Sequence, residues 1–178
     1  VAPFAIGAMI YDYSDEPSNC PVVNWSGFLD APYPEGVPVP GNYILGGLLP
    51  CNSTWSPPQS PYILLGSPLV NQGCILTIQP GVEVRVAGLF VLEVAGTLLA
   101  DGVIFTTAST TSASGQWRGI KFLSSSGDTS SVSNSLVAYA QRGLWCAGAS
   151  PSLSGNIISA TQQGIRVEGN ASPPISFN

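Results

Sequence analysis

The residues able to do chemistry in this chain are few, and their types narrow the options at once. There is no histidine, and five Lys and Arg stand against ten Asp and Glu, for a net charge of −5. The commonest general base and metal ligand is therefore missing. The cations are too few for a phosphate-binding surface, which argues against nucleic acid. Polysaccharide hydrolysis calls for grouped carboxylates; here Asp101 and Asp128 are isolated, and Glu83 and Glu93 alternate with apolar strand residues. Asp12, Asp15 and Glu16 cluster and could hold calcium, but in their polar stretch they read as a solvated turn. The sequence points away from an enzyme and implies no catalytic residue, metal site or cofactor. Trp117 and Trp145 could stack on sugar rings, which gives carbohydrate binding as the alternative.

The remaining chemistry belongs to secretion. Four cysteines, an even number, suit an oxidising compartment. The sequons Asn24-Trp25-Ser26, Asn52-Ser53-Thr54 and Asn170-Ala171-Ser172 make Asn24, Asn52 and Asn170 candidate glycan sites. The first residue is Val rather than Met, which suggests a processed terminus, and no apolar run reaches the roughly 20 residues of a membrane span. An extracellular or cell-surface location follows as an expectation.

The elements that must position these groups announce themselves by repetition. Trp-Arg-Gly-Ile-Lys-Phe (117–122) returns as Gln-Arg-Gly-Leu-Trp-Cys (141–146) and as Gln-Gln-Gly-Ile-Arg-Val (162–167). Ala-Ser-Pro-Ser-Leu-Ser-Gly-Asn (149–156) returns as Ala-Ser-Pro-Pro-Ile-Ser-Phe-Asn (171–178). A period in the low twenties with two-residue alternation is that of a solenoid built from strand-turn circuits. Short β-branched runs separated by turn residues, such as Ile75–Ile78 and Val82–Val86, continue the pattern upstream, and no segment has helical spacing. The predicted fold is all-β, a right-handed parallel β-helix over 69–178. Before it comes a Pro-rich, irregular capping region, 14–68, and an apolar N-terminal arm, 1–13. The Ser/Thr/Ala stretch from Thr106 to Ser114 reads as a loop bulging from a coil.

Thr54-Trp55-Ser56, Pro61-Tyr62-Ile63-Leu64, Leu76-Thr77-Ile78-Gln79-Pro80-Gly81-Val82, Gly96-Thr97-Leu98 and Gly115-Gln116-Trp117-Arg118-Gly119-Ile120 occur in one order. This set resembles the β-helix repeat domain of secreted and cell-surface microbial proteins, over about residues 50–178. The resemblance implies the fold; such domains occur in adhesins, surface-layer-associated proteins and polysaccharide enzymes alike.

Placing the repeats in register assigns faces. Ile120 and Phe122 point inward, with Leu144 and Ile165 stacked on the first and Cys146 and Val167 on the second, about 4.8 Å apart. Lys121, Trp145 and Arg166 form an outward column, suited to cation–π contacts. Arg118, Arg142 and Gln163 form another, whose like charges need solvent or a carboxylate such as Asp128 or Glu168. Cys74 and Cys146 fall about three coils, or about 14 Å, apart, beyond the roughly 7 Å limit of a disulfide. Cys20 with Cys51, both in the Pro-rich region, is the preferred bond; Cys51 with Cys74, one coil-length apart, is the alternative. Cys146 reads as a buried, inert thiol.

Ile175 to Asn178 begins a coil that the sequence does not complete, and an uncapped solenoid end is an open template. The expected function is an extracellular structural subunit that stacks head-to-tail on copies of itself. The expected interface comprises Val1, Phe4, Ile6, Met9 and Ile10 of the arm, as a donated strand, with Ile175 and Phe177 of the last coil. A fragment of a longer surface protein, or a module binding glycans, is the rival expectation.

Overall fold

The computed structural model describes residues 42–111, 113–126 and 129–178. They wind into a parallel β-solenoid of six coils, each with three short strands. The first coil holds β1 (Asn42–Ile44), β2 (Gly47–Leu48) and β3 (Ser53–Trp55); the second β4 (Tyr62–Leu64), β5 (Pro68–Val70) and β6 (Ile75–Ile78). The third holds β7 (Glu83–Val86), β8 (Val91–Val94) and β9 (Thr97–Asp101); the fourth β10 (Ile104–Thr107), β11 (Gly119–Leu123) and β12 (Ser131–Ser133). The fifth holds β13 (Leu136–Ala138), β14 (Arg142–Ala147) and β15 (Ser152–Ser154); the sixth β16 (Ile157–Ser159), β17 (Gln163–Glu168) and β18 (Ile175–Ser176). Every third strand joins one sheet, which gives three six-stranded sheets with wholly parallel pairing. A 3-10 turn at Pro57–Gln59 is the helical structure among the described residues.

Alternation drives the packing as the register predicts. Val94, Phe122, Cys146 and Val167 stack in one ladder, and Leu92, Ile120, Leu144 and Ile165 in its neighbour. A second sheet contributes Tyr62, Val84, Phe105, Val137 and Ile158. The third contributes Ile78, Ala100, Val132 and Leu153. Phe122, Leu144, Phe105 and Leu153 are fully buried. Each such side chain contributes about 1.5–3 kcal/mol of burial.

The corners are held by polar side chains that accept hydrogen bonds from the backbone of an adjacent coil. Ser67 Oγ accepts from Val91 N–H, whereas Ser130 Oγ accepts from Leu98, Ser135 Oγ from Val103 and Asn156 Oδ1 from Ser135. At one corner a left-handed residue recurs in successive coils: Gly81, Gly102, Asn134, Gly155 and Phe177, with φ between 48° and 84°. Part of the Ser-rich composition is thus structural.

Two boundaries and one bond differ from the sequence-based expectation. The ladder begins at Asn42, so residues 42–68 supply coils rather than only a cap. Strands of two or three residues accommodate the prolines, which fall at strand starts and turns, as at Pro61, Pro68 and the 3-10 turn. Thr106 and Thr107 belong to β10, paired with Arg85 and Val86, so the loop starts after them. The disulfide joins Cys51 to Cys74, not Cys20 to Cys51. Ser53 pairs with Leu76, so the residues just before these strands also stand on adjacent coils, with Cα atoms 4.8 Å apart. Cys20, like the arm 1–13, lies outside the described residues.

Candidate functional site

The outer face of the sheet containing β8, β11, β14 and β17 carries the densest polar chemistry of the described residues. Strand alternation turns every second side chain outward. The parallel register then stacks Glu93, Lys121, Trp145 and Arg166 in a single column. Lys121 Nζ lies 4.4 Å from the Trp145 ring centroid, and the Arg142 and Arg166 guanidinium carbons lie 4.4 and 5.9 Å away. Each such contact is worth about 0.5–1 kcal/mol where solvent reaches it. The Trp145 indole N–H donates to Glu168 Oε1 at 2.7 Å, and Arg166 Nε donates to Glu168 Oε2 at 2.8 Å. The Arg166 guanidinium, aided by the indole N–H and Arg142, holds the Glu168 carboxyl below the usual carboxylate range. Lys121 Nζ stands 3.8 Å from Glu93 Oε1. The expected column is present, with Arg142 added to it.

The structure places the two candidate stacking tryptophans in different surroundings. Three cations crowd the ring of Trp145. Trp117 is completely buried, its indole N–H donating to the Ala138 carbonyl at 2.8 Å. Its inward position follows from a slip in pairing. Trp117 bridges to Ala140, whereas Ile120 pairs with Leu144, so the β14 side has one residue more between these points. A one-residue slip exchanges the faces of a strand. Trp117 therefore shares the inward column of the buried Ala140, not that of Gln141 with which the repeat aligns it.

Comparison with family models, with curated proteins and with solved structures gives no match. Function must accordingly be argued from the solenoid itself.

The other predicted residues fall as follows. Asn52 and Asn170 are exposed, while Asn24 lies outside the described residues. Ile175 is 47% exposed and Phe177 95%, both on the sixth coil; Val1, Phe4, Ile6, Met9 and Ile10 lie outside the described residues. Asp12, Asp15, Glu16 and Asp128 do as well. Asp101 accepts from Ser133 Oγ and Asn134 Nδ2, both at 2.8 Å, and these two donors hold its carboxyl low. Among the described residues no three His, Cys, Asp or Glu side chains converge on a metal position, and no helix is long and apolar enough to cross a membrane.

Cys146 is free and buried between Phe122 and Val167. Burial pushes its thiol up to about 11, above the unfolded value of about 8.5. The fold favours the protonated form, so this contribution to stability is complete below pH about 8.5 and fades as pH rises toward the folded value. In a Cys20→Ser variant, a chromogenic thiol reagent at pH 8 is expected to leave the native protein unmodified over hours and to react within minutes in denaturant. Rapid labelling of the native protein would place this thiol at the surface.

Proposed function

We propose that the protein is an extracellular structural subunit that extends by stacking coil upon coil, its sixth coil receiving a coil of a second copy. The carrying observation is the contrast within two columns. Cys146 and Leu153 are fully buried, yet their partners one coil on, Val167 and Ile175, are 45% and 47% exposed. Strands β16, β17 and β18 each pair on one side only among the described residues. Such a rung offers apolar side chains and free backbone groups in the register of another parallel coil. Phe177 adds a second support: it holds φ at 54° and is 95% exposed, a costly conformation for a bulky residue. A copy arriving with its own three-sheet coil matches this cross-section, and such heterologous stacking generates a filament where no rotation closes it. The Cys51–Cys74 bond accords with an oxidising location, and exposed Asn52 and Asn170 could carry glycans there.

The test is sedimentation and electron microscopy of the purified chain beside a Val167→Lys/Ile175→Lys variant. Concentration-dependent fibres or oligomers are expected for the former and monomers for the latter. Monomers of the unaltered chain at tens of micromolar would sink the proposal. So would a native mass showing that further coils of the same polypeptide cover this rung.

A further inference from the structure

Four of the chain's five basic residues, Arg118, Lys121, Arg142 and Arg166, gather on or beside one sheet face. Among the described residues two carboxylates, Glu93 and Glu168, stand with them. Four cations against two carboxylates leave an excess of two positive charges, in a chain whose net charge is −5. Both carboxylates already have partners, Glu93 with Lys121 and Glu168 with Arg166 and the Trp145 indole.

The arginines that remain sit side by side. Arg142 N–H donates to the Arg118 carbonyl, which puts the two residues on adjacent rungs, about 4.8 Å apart along the solenoid. Arg142 donates through Nε to Gln163 Oε1 at 3.2 Å and lies against the Trp145 ring, so its guanidinium plane is fixed from two sides. Its terminal nitrogens have no hydrogen-bond partner among the described residues. Arg118 is exposed, and no described residue pairs with its guanidinium. Both line an open groove of about 360 Å3, with Lys121, its partner Glu93 and Gln141 on the walls and the half-exposed Leu89 at the edge.

From this arrangement we infer that the groove between Arg118 and Arg142 binds a single oxyanion group, a carboxylate, sulfate or phosphate. Two planar guanidinium forks one rung apart offer paired N–H donors to the oxygens of one such group. The anion would also relieve the repulsion of two like charges on neighbouring coils. A sugar-borne carboxylate could in addition rest its ring carbons on Leu89, whereas a free inorganic ion would use the arginines alone.

The experiment is a titration of the folded chain with sodium sulfate and, separately, sodium glucuronate and sodium acetate. Ionic strength is held constant with chloride, and the Trp145 indole and arginine Nε–H resonances are followed. Saturable shifts with millimolar dissociation constants are expected, at least tenfold weaker in Arg118→Gln. Arg118 is exposed, so that variant should keep the native spectrum, and Arg85→Gln should bind as the unaltered chain does. Glucuronate binding tighter than acetate would assign the site to a sugar-borne group. Equal binding would assign it to the oxyanion itself, and either result upholds the site. Shifts that never saturate, or that survive unchanged in Arg118→Gln, overturn it. Binding seen only after Asp128→Asn would also overturn it, because that carboxylate would then be the arginines' own partner.

Discussion

Alanine at Gly119 is expected to abolish the native fold, while alanine at Gly164, the same position of the repeat two coils on, should cost less than about 1 kcal/mol. Gly119 has φ of +108°, a region that side-chain-bearing residues rarely adopt, and a Cβ there would overlap the Arg142 carbonyl. That carbonyl is backbone of the next coil and cannot move without breaking the ladder. The coil would have to open by more than an ångström in a solenoid held at strand spacing, a loss on the order of 4 kcal/mol or more. Gly143 is intermediate: φ is unremarkable, but a Cβ would lie 2.6 Å from the Gly164 carbonyl and 2.8 Å from Ile158 Cγ2. At Gly164 the nearest atom is Ile158 Cγ2 at 3.9 Å. Urea unfolding followed by far-ultraviolet circular dichroism should rank the three variants 119, 143, 164 in falling severity. Equal costs at 119 and 164 would show that the glycines serve flexibility rather than the close approach of coils.

This series also shows why the fold was legible in the sequence. Coils of nearly equal length put chemically similar residues at one height, so a repeated Arg-Gly-Leu or Gln-Gly-Ile reports the ladder directly. The inward ladder at Ile120, Leu144 and Ile165 and the outward column at Lys121, Trp145 and Arg166 follow from alternation alone. What periodicity could not carry is the slip beside Gly119, because it changes pairing without changing the apparent repeat. Trp117 consequently aligned with glutamines and read as exposed, although it is core. Irregular turns hid the start of the solenoid in the same way, since Pro-rich strands of two or three residues show no alternation. The disulfide departs from the expected Cys20–Cys51 pairing for that reason: once residues 42–68 form coils, Cys51 and Cys74 are neighbours across a rung.

The candidate oxyanion groove was half legible. The column Arg118, Arg142 and Gln163 signalled adjacent charges that needed a partner, and Glu168 was a reasonable candidate. Sequence could not say that Arg166 and the Trp145 indole already occupy this carboxylate. Nor could it place Arg142 against the tryptophan: the two residues belong to separate outward columns of the repeat, and only the structure lays the guanidinium on the Trp145 ring.

The repeated phrase ending in Gly-Asn and Phe-Asn has its explanation at a buried corner, and there the second large effect is expected. Asn156 is 2% exposed. Its Oδ1 accepts from Ser135 N–H at 3.1 Å, and its Nδ2 donates to the Val132 carbonyl at 2.9 Å and to Asn178 Oδ1 at 2.6 Å. Asn178 Oδ1 in turn accepts from Asn156 N–H at 3.1 Å, so the pattern repeats one coil on. Asn156→Ala would leave the buried Ser135 N–H unpaired, at about 1–3 kcal/mol, and take from the Val132 carbonyl and from Asn178 the bonds that Nδ2 donates. We expect a loss of about 3 kcal/mol in total, since relaxation and water entry recover part of the penalty. Asn156→Ser should recover part of that loss, because Ser135 already fills this column with a hydroxyl that accepts from Val103 N–H. Asn156→Asp keeps the acceptor but removes both donor bonds and buries a charge, so it should be no better than alanine at neutral pH and should improve as the carboxyl is protonated. Denaturation midpoints of the three variants, read at pH 7 and pH 4, check this order. A cost below 0.5 kcal/mol for alanine would mean that the corner is held by the backbone alone and that the asparagines merely fill it.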